Sequence, residues 1–216
     1  MSKSIKAGAL FGLVLLVVMT AIGARMGVVH VPIERPPGHA LWFASRAAGI
    51  VAYAALTVEM AFGLLVSSGA GDAWISRARS LELHRFLSVV SLSLVAGHAL
   101  VLIGDRYVRF DVLDVLVPFL APYRPFAVGL GVLGLYAMLL VHASFDLRAR
   151  IGPRAWRSLH YLSFAIFALA TAHGALAGSD GWMKWGYAAA SGLILVLTSH
   201  RVLAARAAPR LRHANE

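Results

Sequence analysis

Six apolar runs, each close to the length needed to cross a bilayer, divide this 216-residue chain: Ala7–Ala24, Leu41–Val66, Leu83–Ile103, Pro125–Phe145, Trp156–Leu176 and Trp185–Leu203. A hydrocarbon core about 30 Å thick takes ~20 helical residues. Hydrophobic residues make up 59% of the chain and charged residues 14%, against about 25% charged in ordinary soluble domains. A water-soluble fold of this size has too little interior to hide that surface. Backbone groups in lipid must pair within their own segment, so the runs read as helices. The alternating pattern of a membrane barrel is missing. The expected fold is all-α, a six-transmembrane-helix bundle forming one integral membrane domain over 1–216. The first run is longer than the ~7–15 residues of a signal-peptide core and is expected to be a retained helix.

Charge sets the orientation. Lys3, Lys6, Arg77, Arg79, Arg85, Arg148, Arg150, Arg154, Arg157, Arg201, Arg206, Arg210 and Arg212 fall on one side; Arg25, Arg35, Arg46, Arg106, Arg109, Arg124 and Lys184 fall on the other. The positive-inside rule then places both termini in the cytoplasm. The net charge of +10 is spread over these short loops and forms no single basic stripe, so nucleic acid is not an expected partner. All five tryptophans, Trp42, Trp74, Trp156, Trp182 and Trp185, lie near helix ends, as an interfacial belt requires. Cysteine is absent, which excludes disulfides, thiolate nucleophiles and Cys-ligated clusters. The apolar stretch Asp111–Leu120 in the longest outer loop is expected to lie on the membrane surface before Pro118, Pro122 and Pro125 break it. No P-loop and no strand-borne GxGxxG is present.

Four histidines carry the chemistry. The third segment holds His84 and His98, fourteen residues apart; the fifth holds His160 and His173, thirteen apart. Both segments run outward, and such spacings separate the members of each pair by about 20 Å. His84 and His160 therefore share an inner level, His98 and His173 an outer one. Ionisable side chains within a membrane are costly and point to function. Imidazole is a common haem-iron ligand, and helix bundles build cofactor sites from facing side chains. Two matched pairs at two depths suggest two stacked bis-His haems. The other reading is that each histidine is interfacial or bonds a neighbouring helix. One point of geometry resists: a fourteen-residue step returns within ~40° of the same helix face, whereas a thirteen-residue step misses by ~140°. The fifth segment would need tilt, local overwinding or a sideways imidazole.

With these spacings, the segments Ser45–Tyr53, Leu83-His84-Arg85, Trp156–Tyr161 and His173–Asp180 make residues 40–205 resemble the ferric reductase-like transmembrane domain. That superfamily includes ferric reductases, NADPH oxidases and a bacterial haem subunit serving a periplasmic methionine sulfoxide reductase. The resemblance implies b-type haem, two expected and one possible, and electron movement across the bacterial inner (plasma) membrane. It implies His84 and His160 as ligands of the inner haem and His98 and His173 of the outer one. Arg46 is placed to pair with an outer propionate, and Arg85 and Arg157 with an inner one, positive-inside anchoring being the other reading. No stretch reads as a flavin or nicotinamide domain. The donor is then expected to be separate, a flavin reductase or a quinol, and the acceptor an outer-side oxidoreductase. A direct ferric or oxygen reductase working with a separate reductase, and a haem-free transporter or assembly protein, are the alternatives.

Four further features stay open. Phe164 and Phe167 lie between the two levels, either filling space between haems or packing ordinarily. Glu59 is the one acidic residue well inside a segment, suited to a hydrogen bond or to a proton or quinol path. His142 and His200 read as interfacial histidines, with ligation or quinone contact as the alternatives. Gly129, Gly131 and Gly134 offer close helix approach or room for a porphyrin.

Overall fold

The computed structural model describes residues 38–70, 72 and 75–213. The first apolar run, its flanking charges, His30 and Trp74 lie outside the described residues. What is described is helical throughout, with no strand: α1 Ala40–Ser68, α2 Arg77–Ile103, α3 Val112–Leu116, α4 Pro125–His160, α5 Leu162–Ala177 and α6 Met183–His213. Four helices, Ala40–Ser68, Arg77–Ile103, Pro125–Ala177 and Met183–Arg206, are long and apolar enough to cross a membrane. The chain is a membrane protein by this measure. Large apolar side chains such as Val51, Leu100, Leu195 and Val196 face outward, as a bilayer solvent favours and water does not.

Local chemistry sets the helix ends. α1 stops at Gly69, whose φ of 71° is left-handed and suits a residue without Cβ. Ser76 caps α2, its side chain accepting from the Arg79 N–H. Asp111 and Asp114 form a capping box around α3. The long run from Pro125 to Ala177 is folded back on itself. Gly152 breaks it with φ 80° and ψ 163°, and Pro153 restarts the helix where its missing N–H costs nothing. Residues 127 and 173 consequently lie side by side.

α1 packs along α2, the first part of α4 along α5, and α6 against α1. One core, made of Tyr53, Leu56, Met60, Leu64, Met138, Ile166, Phe167 and Ile194, fills the centre of this bundle. A second gathers Leu102, Phe110, Val115 and Ala121 at one end, with Trp42 and Tyr123 packed against it. The stretch expected to rest on the membrane surface is divided: Leu113 and Val115 are buried beside Phe110, which is 1% exposed, whereas Val117, Phe119 and Leu120 are exposed. The alternation of apolar residues with capping aspartates lets a five-residue helix plug the bundle end. Phe119 stacks near Phe126 and lies where a Cβ on Gly129 would be, 2.2 Å away. Gly129 therefore makes room for a loop side chain, not for another helix.

Candidate functional site

The bundle brings the four histidines together as two pairs. The rings of His84 and His160 have centroids 6.2 Å apart at 78°. Those of His98 and His173 are 6.0 Å apart at 74°. The backbone holds three of the rings from behind. His98 Nδ1 lies 2.7 Å from the Ser45 carbonyl, His173 Nδ1 2.8 Å from that of Ala127, and His84 Nδ1 3.1 Å from that of Glu59. A carbonyl only accepts, so each Nδ1 carries the proton and donates. Each Nε2 is left with its lone pair, the arrangement common behind metal-bound histidine. Ser45 returns the bond, its hydroxyl donating to the His98 carbonyl at 3.0 Å. His160 is held differently, stacked on Trp156 with centroids 5.2 Å apart.

The ring spacing can be compared with what an ion needs. A metal–imidazole bond is about 2.0–2.1 Å, and the ring centroid lies roughly 1.1 Å behind the nitrogen, so an ion between two imidazoles spaces the centroids about 6.3 Å apart. Both pairs are close to that value. Among the described residues no group of three or more His, Cys, Asp or Glu could hold a metal ion. A bare ion at either level would have two protein ligands. A macrocycle that brings four of its own nitrogens fits this donor set; a protein-only metal site does not.

Glycines make the pairs possible. A Cβ on Gly49 would lie 3.0 Å from the His98 ring, one on Gly63 3.1 Å from the His84 ring, and one on Gly131 2.8 Å from His173 Nδ1. Gly49 and Gly63 are fourteen residues apart on α1, the same interval as His84 and His98 on antiparallel α2. Sequence reasoning reached Gly131 and missed the other two as ring supports. The equal interval was the available signal. Gly134 meets only Leu169, at an ordinary 3.7 Å.

Part of the thirteen-residue mismatch is taken up at Tyr161, which keeps right-handed helical φ/ψ and whose N–H bonds the Arg157 carbonyl. α4 ends at His160 and α5 begins at Leu162. At the intervening Tyr161 the Phe164 N–H bonds the Tyr161 carbonyl at 3.1 Å, an i→i+3 bond. Such tightening turns the chain further per residue than an α-helix does, in the direction the missing angle requires.

A cleft surrounds the His98–His173 pair, walled by Gly49, Tyr53, Leu56, Val95, Val128 and Tyr187. Arg46 lines it but is engaged with Asp180: its Nε donates at 3.3 Å to one carboxylate oxygen and its Nη2 is in closer contact with the other. Arg85 is exposed, its guanidinium 4.7 Å from the Phe145 ring centroid. Phe167 packs in the core against Tyr53, centroids 5.7 Å apart, and Phe164 packs against the same core. Glu59 lies near the Ser88 and Ser91 hydroxyls and His142, with Oε2 buried and unbonded. His142 is exposed, 3.4 Å from the Ser88 hydroxyl, and His200 is exposed on α6. No protein-family model, no curated protein and no solved structure matches this chain.

Proposed function

We propose that this chain carries electrons across a membrane through two b-type haems, one held by His84 and His160 and the other by His98 and His173. The observation that carries the reading is the pair of imidazole pairs, spaced 6.2 and 6.0 Å, with three Nδ1 atoms committed to carbonyls. Haem iron supplies a one-electron ferric/ferrous couple. The protein's part is to fix the imidazoles, exclude water and seat the group. A haem held by two histidines would have no protein-free ligand position, which would suit electron transfer better than oxygen binding. The fourteen-residue interval on α2 sets the two levels about 20 Å apart along the helix, and Tyr53, Leu56, Met60 and Phe167 fill the space near the middle.

The wider reading is a six-span protein of the ferric reductase-like kind in a bacterial inner membrane. The distribution of loop arginines supports cytoplasmic termini. A flavin reductase or a quinol gives electrons to the inner level, and an outer-side oxidoreductase takes them from the cleft beside Arg46 and Asp180. The deciding test is a reduced-minus-oxidised optical spectrum of the purified chain with haem counted per polypeptide. Low-spin b-type bands at two haems per chain are expected. A colourless protein from cells supplied with haem ends the proposal.

A further inference from the structure

At the end of the bundle nearer His84 and His160, α6 and the start of α5 leave a groove of about 460 Å³, lined by Tyr161, Phe164, Thr198, Arg201, Val202, Ala205 and Arg206. It has room for a group many times the ~30 Å³ of a water molecule. Its composition is divided. Phe164, Val202 and Ala205 give an apolar wall, and two arginines stand at one end. Among the described residues neither arginine has an acidic partner, the single ion pair there being Arg46 with Asp180. Arg201 lies over the Tyr161 ring, 5.9 Å from its centroid.

Thr198 supplies an independent sign. Several hydroxyls in these helices bond back to the carbonyl one turn earlier: Thr57 to Tyr53, Thr171 to Phe167 and Ser93 to Val89, each at 2.8 Å. That is the usual solution where water is absent. Thr198 departs from it. Its Oγ1 is buried and has no partner, and the residue lines the groove. A buried donor and two arginines without partners among the described residues, beside an apolar wall, fit one kind of molecule.

We propose that this groove binds an anionic phospholipid, its phosphate taken by Arg201 and Arg206, the Thr198 hydroxyl donating to a headgroup oxygen, and an acyl chain lying on Phe164 and Val202. Basic pockets between membrane helices recognise anionic headgroups in this way, and the arginine fork matches phosphate. The site stands whether or not the histidine pairs bind haem.

The test uses the full chain in phosphatidylcholine vesicles carrying spin-labelled phosphatidylglycerol in both leaflets, so orientation does not matter. One preferred phosphatidylglycerol per chain is expected. Arg201→Gln with Arg206→Gln should weaken that preference at least about tenfold. Thr198→Val, which keeps the fold and the charges, should weaken it by about threefold. Arg150→Gln with Arg154→Gln, on the same side but off the groove, should leave it unchanged, and millimolar inorganic phosphate should not displace the label. Equal loss in the two arginine double variants would show diffuse loop charge and overturn the site. So would an unaffected Thr198→Val, or full displacement by free phosphate.

Discussion

The two histidine levels are built to different standards. At the outer level both rings are tied by Nδ1 to backbone carbonyls, both sit inside unbroken helix, and Gly49 and Gly131 bring backbone against both. The Ser45 hydroxyl adds a second strut to His98. At the inner level His84 has its carbonyl and its glycine, but His160 sits beside a tightened turn and leans on an indole. Among the described residues nothing hydrogen-bonds the His160 ring. The difference teaches that one interval can be met in two ways. A fourteen-residue step leaves α2 regular, and its supports follow at the same step on α1. The thirteen-residue step coincides with a tightened turn at Tyr161, and the ring beside it stacks on an indole where the others bond a carbonyl.

The largest effects come from deleting a ligand. His98→Ala or His173→Ala should each remove one haem per chain and about half the reduced b-band amplitude. His84→Ala should do the same at the other level. Retention of two haems by any of these variants would show that the pairs are not the ligands.

Next come the ring supports. Adding a methyl at Gly131, 2.8 Å from Nδ1, should be worse than at Gly49 or Gly63, where the nearest ring atoms lie 3.0 and 3.1 Å away, because all three rings are tied to carbonyls and the overlap is deepest at Gly131. Overpacking of this kind costs about 1–3 kcal/mol. Gly131→Ala is therefore expected to lower the thermal midpoint and the haem-to-chain ratio most, with Gly63→Ala the mildest. A Gly131→Ala protein with an unchanged midpoint and full haem would mean that the backbone spacing there is slack.

Trp156→Leu separates the levels more finely. It removes the stack behind His160 and touches no other histidine. Inner haem should dissociate faster while outer haem is unaffected, followed as two phases of haem transfer to an apo-globin acceptor. Equal loosening of both haems would mean that Trp156 acts on the whole bundle.

Much of this was legible in the sequence because lipid leaves a segment few choices. Apolar length marked the spans, and ionisable residues within them marked the histidines, since neither signal depends on what packs nearby. The tightened turn at Tyr161 was invisible because neither glycine nor proline marks it; only the awkward thirteen-residue step hinted at it. Gly152-Pro153 carried the usual signature of a turn. The Arg46–Asp180 pair joins residues 134 apart in sequence, a closure that depends on how α1 meets the loop after α5. The inward packing of Phe110 and Val115 was hidden for a related reason. A short apolar stretch looks alike whether it faces lipid or a neighbouring helix.

The smallest expected effect tests the electrostatics of the outer level. Arg46 and Asp180 have side chains 27% exposed each, and a pair so placed is worth about 0–1 kcal/mol. Asp180→Asn should therefore barely move the thermal midpoint. Its redox consequence is sharper, because the pair lines the cleft around His98 and His173. Removing the carboxylate leaves the guanidinium's positive charge uncompensated, and positive charge nearby favours the state that has gained an electron. The outer haem's midpoint potential should rise. Arg46→Gln should lower it, and the inner haem, about 20 Å further along the helices, should shift much less in both. Shifts of the same sign in the two variants would mean that the pair acts by shaping the cleft, because charge alone requires opposite signs.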